Sequence, residues 1–199
     1  MILAYAIILL VVLALLLGRD LSAIGRVSFR GGEKLIVLVV GLYILQAVLV
    51  IYVSGQALFQ MIILILSQLA LALLFFLNRR LPGARLFLLG LVLNLVVMVI
   101  NGGWMPVTQS TYEYVHPGKT TEIGARPPLS KNIVLAREET NLWILSDIIP
   151  VILPWRRWAV SIGDILLIIG VTLFIFKTTS PKEKLLPGEP PKNQLTPTE

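Results

Sequence analysis

LIVLVVGLYILQAVLVIYVSGQALFQMIILILSQLALALLFFL, residues 35–77, contains no Asp, Glu, Lys or Arg. It breaks at SGQ (54–56) into apolar runs over 35–53 and 57–77, each near the roughly 20 residues that a helix needs to cross a ~30 Å hydrocarbon core. A turn so short makes the two helices antiparallel. The rest of the chain matches: of 199 residues 56% are hydrophobic and 14% charged, a balance that soluble domains do not show. The reading is an all-α membrane protein with five transmembrane helices and a short re-entrant or interfacial segment, and with the lipid bilayer as its first partner.

Working outward, MILAYAIILLVVLALLL (1–17) lacks a basic leader and a small-residue cleavage site, so it reads as the first span and not as a removable signal. The fourth span is placed at 84–101, with Pro82 suited to its first turn, and the fifth at 158–176. Residues 102–141 are polar and carry Pro106, Pro117, Pro127 and Pro128, which reads as an outer loop. LWILSDIIPVILP (142–154) is apolar but too short to span, hence the re-entrant or interfacial assignment. The proline-rich stretch 177–199 reads as a disordered cytoplasmic tail.

Orientation follows from the basic residues. Arg19, Arg26, Arg30 and Lys34 lie in one short loop, Arg79, Arg80 and Arg85 in another, and Lys177, Lys182 and Lys184 follow the last span, whereas turn 54–56 has none. The positive-inside rule then puts the N-terminus outside and the C-terminus inside, in a cytoplasmic (plasma) membrane. Arg156 and Arg157 run against this assignment. Trp104, Trp143, Trp155 and Trp158 all border the long loop, as an aromatic belt at the outer interface would. The formal charge of +6 is assigned to this asymmetry and not to a nucleic-acid partner. With no cysteine and one histidine, no disulfide, thiolate nucleophile or multi-His metal site is expected, and no cofactor.

Polar residues within the spans group by helical spacing. Gly90, Asn94 and Asn101 share one stripe, Gln60 and Ser67 another, and Ser161 and Asp164 are neighbours at i and i+3. Gly163 and Gly170 offer a close-approach face where a protein partner or a second copy could dock. A carboxylate inside a span costs a few kcal/mol and needs a partner or a proton. Asp164 lies roughly 9 Å below Trp158 and Asn94 roughly 10 Å below Asn101, so Asn94 and Asp164 are expected to face each other. Asp147 joins them if its segment dips inward, with Arg126, Arg137, Arg156 or Arg157 as cation partners. The candidate binding residues are Asn94, Asn101, Gly102, Gly103, Trp104, Asp147, Ser161 and Asp164. None is assigned a catalytic role. His116 reads as a solvated loop residue.

NGGWMP (101–106), SDIIP (146–150) and SIGD (161–164) together resemble a family of small bacterial membrane proteins known only as a domain of unknown function, over roughly residues 1–176. The resemblance carries over Asn101, Gly102, Gly103, Met105, Pro106, Asp147, Pro150, Ser161, Gly163 and Asp164. Ser146 stands where the family's motif has glycine. It implies the architecture and transfers no activity. Three functions stay open. A non-catalytic accessory, assembly or docking subunit is preferred. The alternatives are a small transporter or proton conductor using Asp164, and an enzyme on a lipid-linked substrate using Asp147 and Asp164.

Overall fold

The computed structural model describes residues 2–181. Among them the helices are α1 (Ile2–Leu16), a single turn α2 (Ser22–Gly25), α3 (Gly32–Tyr52), α4 (Leu58–Leu77), α5 (Ala84–Ile100), α6 (Gln109–Val115) and α7 (Ile162–Thr178). The strands are β1 (Met105–Thr108), β2 (Asn132–Leu135), β3 (Ile149–Leu153) and β4 (Arg156–Val160). The fold is mostly helical. Helices α3 and α4 are long and apolar enough to cross a membrane, and α1 and α5 are shorter apolar helices.

The long helices pack in the spatial order α3, α4, α5, α7, α1. Polar side chains lie between the first two. Ser67 Oγ donates to Gln46 Oε1 at 2.5 Å, and Gln60 Nε2 donates to the Leu49 carbonyl at 3.1 Å. The tightest contact is α5 against α7, and glycines make it. Gly83 and Gly90 meet Gly170 and Gly163, each pair spaced seven residues or two turns apart, so the backbones approach without intervening side chains. One expectation changes here. Gly163 and Gly170 are buried against α5, so the face assigned to a partner or a second copy is filled within the chain.

The outward faces of the helices are apolar, with Leu16 79%, Val37 69% and Leu58 66% exposed. Between α5 and α7 the chain is not an all-α loop. It builds a small mixed cap in which β1 pairs parallel with β2 and β3 pairs antiparallel with β4. The 142–154 segment is a 3-10 turn (Trp143–Leu145) followed by β3, and the hairpin turns around Pro154 and Trp155. Helix α7 starts at Ile162 and not at 158, because Ser161 accepts from the Asp164 amide and Asp164 answers the Ser161 amide, a reciprocal cap that defines the first turn.

The expected tail starts later than 177. Arg19 Nη1 donates to the Phe176 carbonyl at 2.8 Å and also to that of Thr179, and the Asp20 amide donates to Ser180 at 2.9 Å, which ties residues 177–181 to the end of α1. The remainder of the tail assignment lies outside the described residues.

Candidate functional site

The site grows from the C-terminal end of α5. Asn101 Nδ2 donates to the carbonyls of Val97 (2.8 Å) and Asn141 (2.9 Å), and its Oδ1 accepts from the Asn141 amide at 2.9 Å. One side chain thus closes the helix and clamps a segment forty residues away. Gly102 and Gly103 follow with φ of 79° and 86°, the left-handed region that glycine enters without strain. The Gly103 amide returns to the Met98 carbonyl at 2.7 Å, closing the helix end. A Cβ on Gly103 would meet the Met61 side chain.

The chain then enters β1, and the parallel register sets Met105 opposite Asn132. The Met105 amide donates to the Lys131 carbonyl at 3.2 Å and the Asp147 amide to the Pro106 carbonyl at 3.0 Å. Three remote segments therefore converge. Asn132 Nδ2 donates to Asp147 Oδ2 at 2.6 Å. Asp147 is 3% exposed, and its buried Oδ1 has no hydrogen-bond partner among the described residues.

Just inside the bundle, Asn94 Nδ2 donates to Asp164 Oδ1 at 3.0 Å, Ser161 Oγ donates to Asn94 Oδ1 at 2.9 Å, and the Asp164 amide donates to Ser161 Oγ at 3.0 Å. The ring is closed and buried. Asn94 and Asp164 do face each other, and the helix cap and the interhelical bond together satisfy the carboxylate.

Lys131 is the cation of this site, and sequence reasoning passed over it. Burial alone would lower its pKa, but the carboxylates of Asp164 and Asp147 outweigh that and hold it above the ordinary lysine value. For Asp147 burial dominates: it pushes the carboxyl up from 3.8 to about 7, aided by Asp164 and opposed by Lys131 and the Asn132 hydrogen bond. The ammonium makes direct ion-pair contact with neither carboxylate.

The four arginines expected as partners are engaged elsewhere. Arg126 lies 5.0 Å from the Trp104 ring centroid and donates to the Val53 and Ser130 carbonyls, and Arg137 lies 4.0 Å from the Trp143 ring. Arg156 reaches the Tyr5 hydroxyl and Arg157 the Tyr114 carbonyl, both at 3.2 Å. The legible signal for Lys131 and Asn132 was their place directly before the apolar run IVL (133–135), which marks the foot of a strand.

The eight candidate residues do not line a single open pocket. Asn94, Ser161 and Asp164 fill the bundle end, with Asp147 bound into the cap beside them. Asn101, Gly102 and Gly103 form the turn above. Trp104 is buried with Leu64, Val97, Met98 and Ile133 and does not lie on the surface of the protein. Trp158 is also buried, whereas Trp155 is 73% exposed, so the expected belt is reduced. His116 stacks on Tyr112 with ring centroids 4.5 Å apart and points Nδ1 at its carbonyl. An opening lies on the cap surface, a cleft of about 450 Å³ lined by Gln109, Thr111, Arg137, Glu138 and Trp143 among others.

Residues 26–176 match the model of a family of unknown function, DUF5317, and every residue of the cluster falls within that span. An uncharacterized protein of Thermotoga maritima is 38% identical over 127 residues, covering 63% of this chain and 68% of the relative. No solved structure matches. On the length and placement of that match, the chain belongs to the DUF5317 family.

Proposed function

We propose that this protein crosses the bacterial cytoplasmic membrane five times, N-terminus outside and C-terminus inside, and works as a non-catalytic accessory or docking subunit through its outer cap. Two features support the membrane part: apolar side chains face outward along the helices, and the basic loops lie at the bundle end opposite the cap. The observation that carries the docking reading is the closed ring of Asn94, Ser161 and Asp164. Buried polar groups that satisfy one another hold elements together; a conduction path needs groups free to exchange a passenger. The open surface is instead the cap cleft.

The chain has no native cysteine, so single cysteines report cleanly. A cysteine at Gly118, on the exposed cap, is expected to react with a membrane-impermeant maleimide in intact cells. One at Glu138, in the cleft, is expected to react freely in purified protein and to be shielded in cells at native expression. Labelling of Gly118→Cys only after permeabilisation would reverse the orientation, and full labelling of Glu138→Cys in cells would end the docking reading.

A second reading, a proton-conducting protein, draws on Asp147, whose free Oδ1 and pKa near 7 suit a proton carrier. Proteoliposomes under an imposed pH gradient are expected to show no protein-dependent proton flux. A flux that disappears in Asp147→Asn would replace the docking reading with this one.

A further inference from the structure

We propose that the cleft at the inner end of α5 and α7 binds the headgroup of an anionic glycerophospholipid, with one acyl chain laid along the exposed face of α5. This rests on the bilayer reading above. The cleft, about 310 Å³, is lined by Arg79, Arg80 and Arg85 together with Leu86 and Leu173, and no Asp or Glu contributes to it. Arg79 is steadied by the Phe76 ring, 4.8 Å from its guanidinium. Among the described residues the one ion pair is Arg26 with Asp20, so no carboxylate of the described residues pairs with these three guanidinium groups.

Guanidinium forks match phosphate oxygens in pairs, and a headgroup phosphodiester supplies them at headgroup depth. The acyl chain has its own path. Leu89, Val92, Val96 and Val99 follow Arg85 at i+4, i+7, i+11 and i+14, one helix face, and are 47%, 42%, 41% and 52% exposed. The stripe runs roughly 21 Å from the arginines toward the outer end, about the length of a long acyl chain. A free phosphate would use the arginines and leave this stripe idle. A lipid engages both features together, the arginines with its phosphate and the α5 stripe with its chain.

The full chain is reconstituted into phosphatidylcholine nanodiscs with a few per cent phosphatidylglycerol, and lipids retained after release are counted by native mass spectrometry. One tightly held phosphatidylglycerol per chain is expected. Arg80→Gln with Arg85→Gln should weaken its retention roughly 30-fold, at about 1 kcal/mol per basic residue near an anionic headgroup. Arg26→Gln with Lys34→Gln, which removes the same charge from the same end, should leave it unchanged. If the double variant does not reconstitute, Arg80→Gln and Arg85→Gln are measured singly, each expected to drop roughly fivefold.

Equal loss in both double variants would reduce the effect to general surface charge and overturn the site. Displacement of the lipid by millimolar inorganic phosphate would assign the arginines to a free anion and overturn it also. A chain that does not enter phosphatidylcholine discs at all overturns the bilayer reading itself. One that enters and shows no preference for phosphatidylglycerol overturns the lipid site alone.

Discussion

Alanine at Gly163 is expected to destabilise the protein by about 3 kcal/mol or more, whereas the same change at Gly41 should be neutral or slightly stabilising. A Cβ on Gly163 would overlap the Asn94 amide and stand 2.8 Å from the Gly90 carbonyl. On Gly170 it would stand 2.8 Å from the Phe87 Cβ and amide nitrogen and 2.9 Å from the Gly83 carbonyl. At both sites the obstacles include backbone of α5 or its N-cap, and at Gly163 also an Asn94 side chain held by its own hydrogen bonds, so the helices must separate, and overpacking of this kind costs about 1–3 kcal/mol or more per site. At Gly163 the hydrogen bond from Asn94 to Asp164 would be lost as well, which adds about 1 kcal/mol or more. Gly41 meets nothing within 4 Å, and removing glycine from an exposed helix position recovers roughly 0.5–1 kcal/mol of backbone entropy. Thermal unfolding in detergent micelles of Gly163→Ala, Gly170→Ala and Gly41→Ala checks this. Equal shifts at all three would refute glycine-mediated packing.

Stability is expected to fall as pH rises from about 4 to 7, opposite to the usual behaviour of a salt-bridged carboxylate. The Asp147 carboxyl is raised in the folded chain to about 7 from 3.8. Between those values the folded state binds a proton that the unfolded state has released, so each step up in pH favours unfolding. The contribution is complete below about pH 4 and gone above about pH 7. Its upper limit, at about 1.4 kcal/mol per pH unit, is on the order of 4 kcal/mol.

The groups that face Asp147 set the details. Asn132 and Lys131 oppose the rise, and Asp164 adds to it. Asp147→Asn should flatten the slope, because the amide carries no titrating proton and can still present its oxygen to Asn132. Lys131→Met should extend the slope above pH 7, since the ammonium that favours the charged carboxylate is removed. The same loss appears as lower stability than wild type at high pH, where both carboxylates are without that nearby charge. Melting curves of the three proteins between pH 4 and 9 read both effects. A wild-type curve that rises across this window would reverse the assignment of Asp147.

The architecture divides into parts that local pattern reveals and parts that it hides. Apolar runs, polar stripes at i, i+4 and i+7, and the Ser161–Asp164 spacing are all readable because helix geometry relates residues a few positions apart by a fixed rotation and rise. That is how Asn94 could be matched to Asp164 by depth, seventy positions away in sequence but at the same height on antiparallel helices. The loop between α5 and α7 offered no such periodicity. Its strands are four or five residues long, and β1 finds β2 across an intervening helix, a pairing that sequence separation does not encode.

By itself, then, the sequence pointed to a mostly helical chain with five spans, of which the structure has two helices, α3 and α4, long and apolar enough to cross a membrane, and it picked out the polar residues Asn94, Ser161 and Asp164 that gather where α5 meets α7. The physical reason is that helix length and helix face are properties of contiguous residues. Only the tertiary structure decided that Lys131 and Asn132 join Asp147, that Trp104 is buried under Arg126, and that Gly163 and Gly170 receive α5 and not a second chain. Each of these depends on which distant backbone comes close enough to form a hydrogen bond or to exclude a Cβ, and such closeness is set by the packed whole.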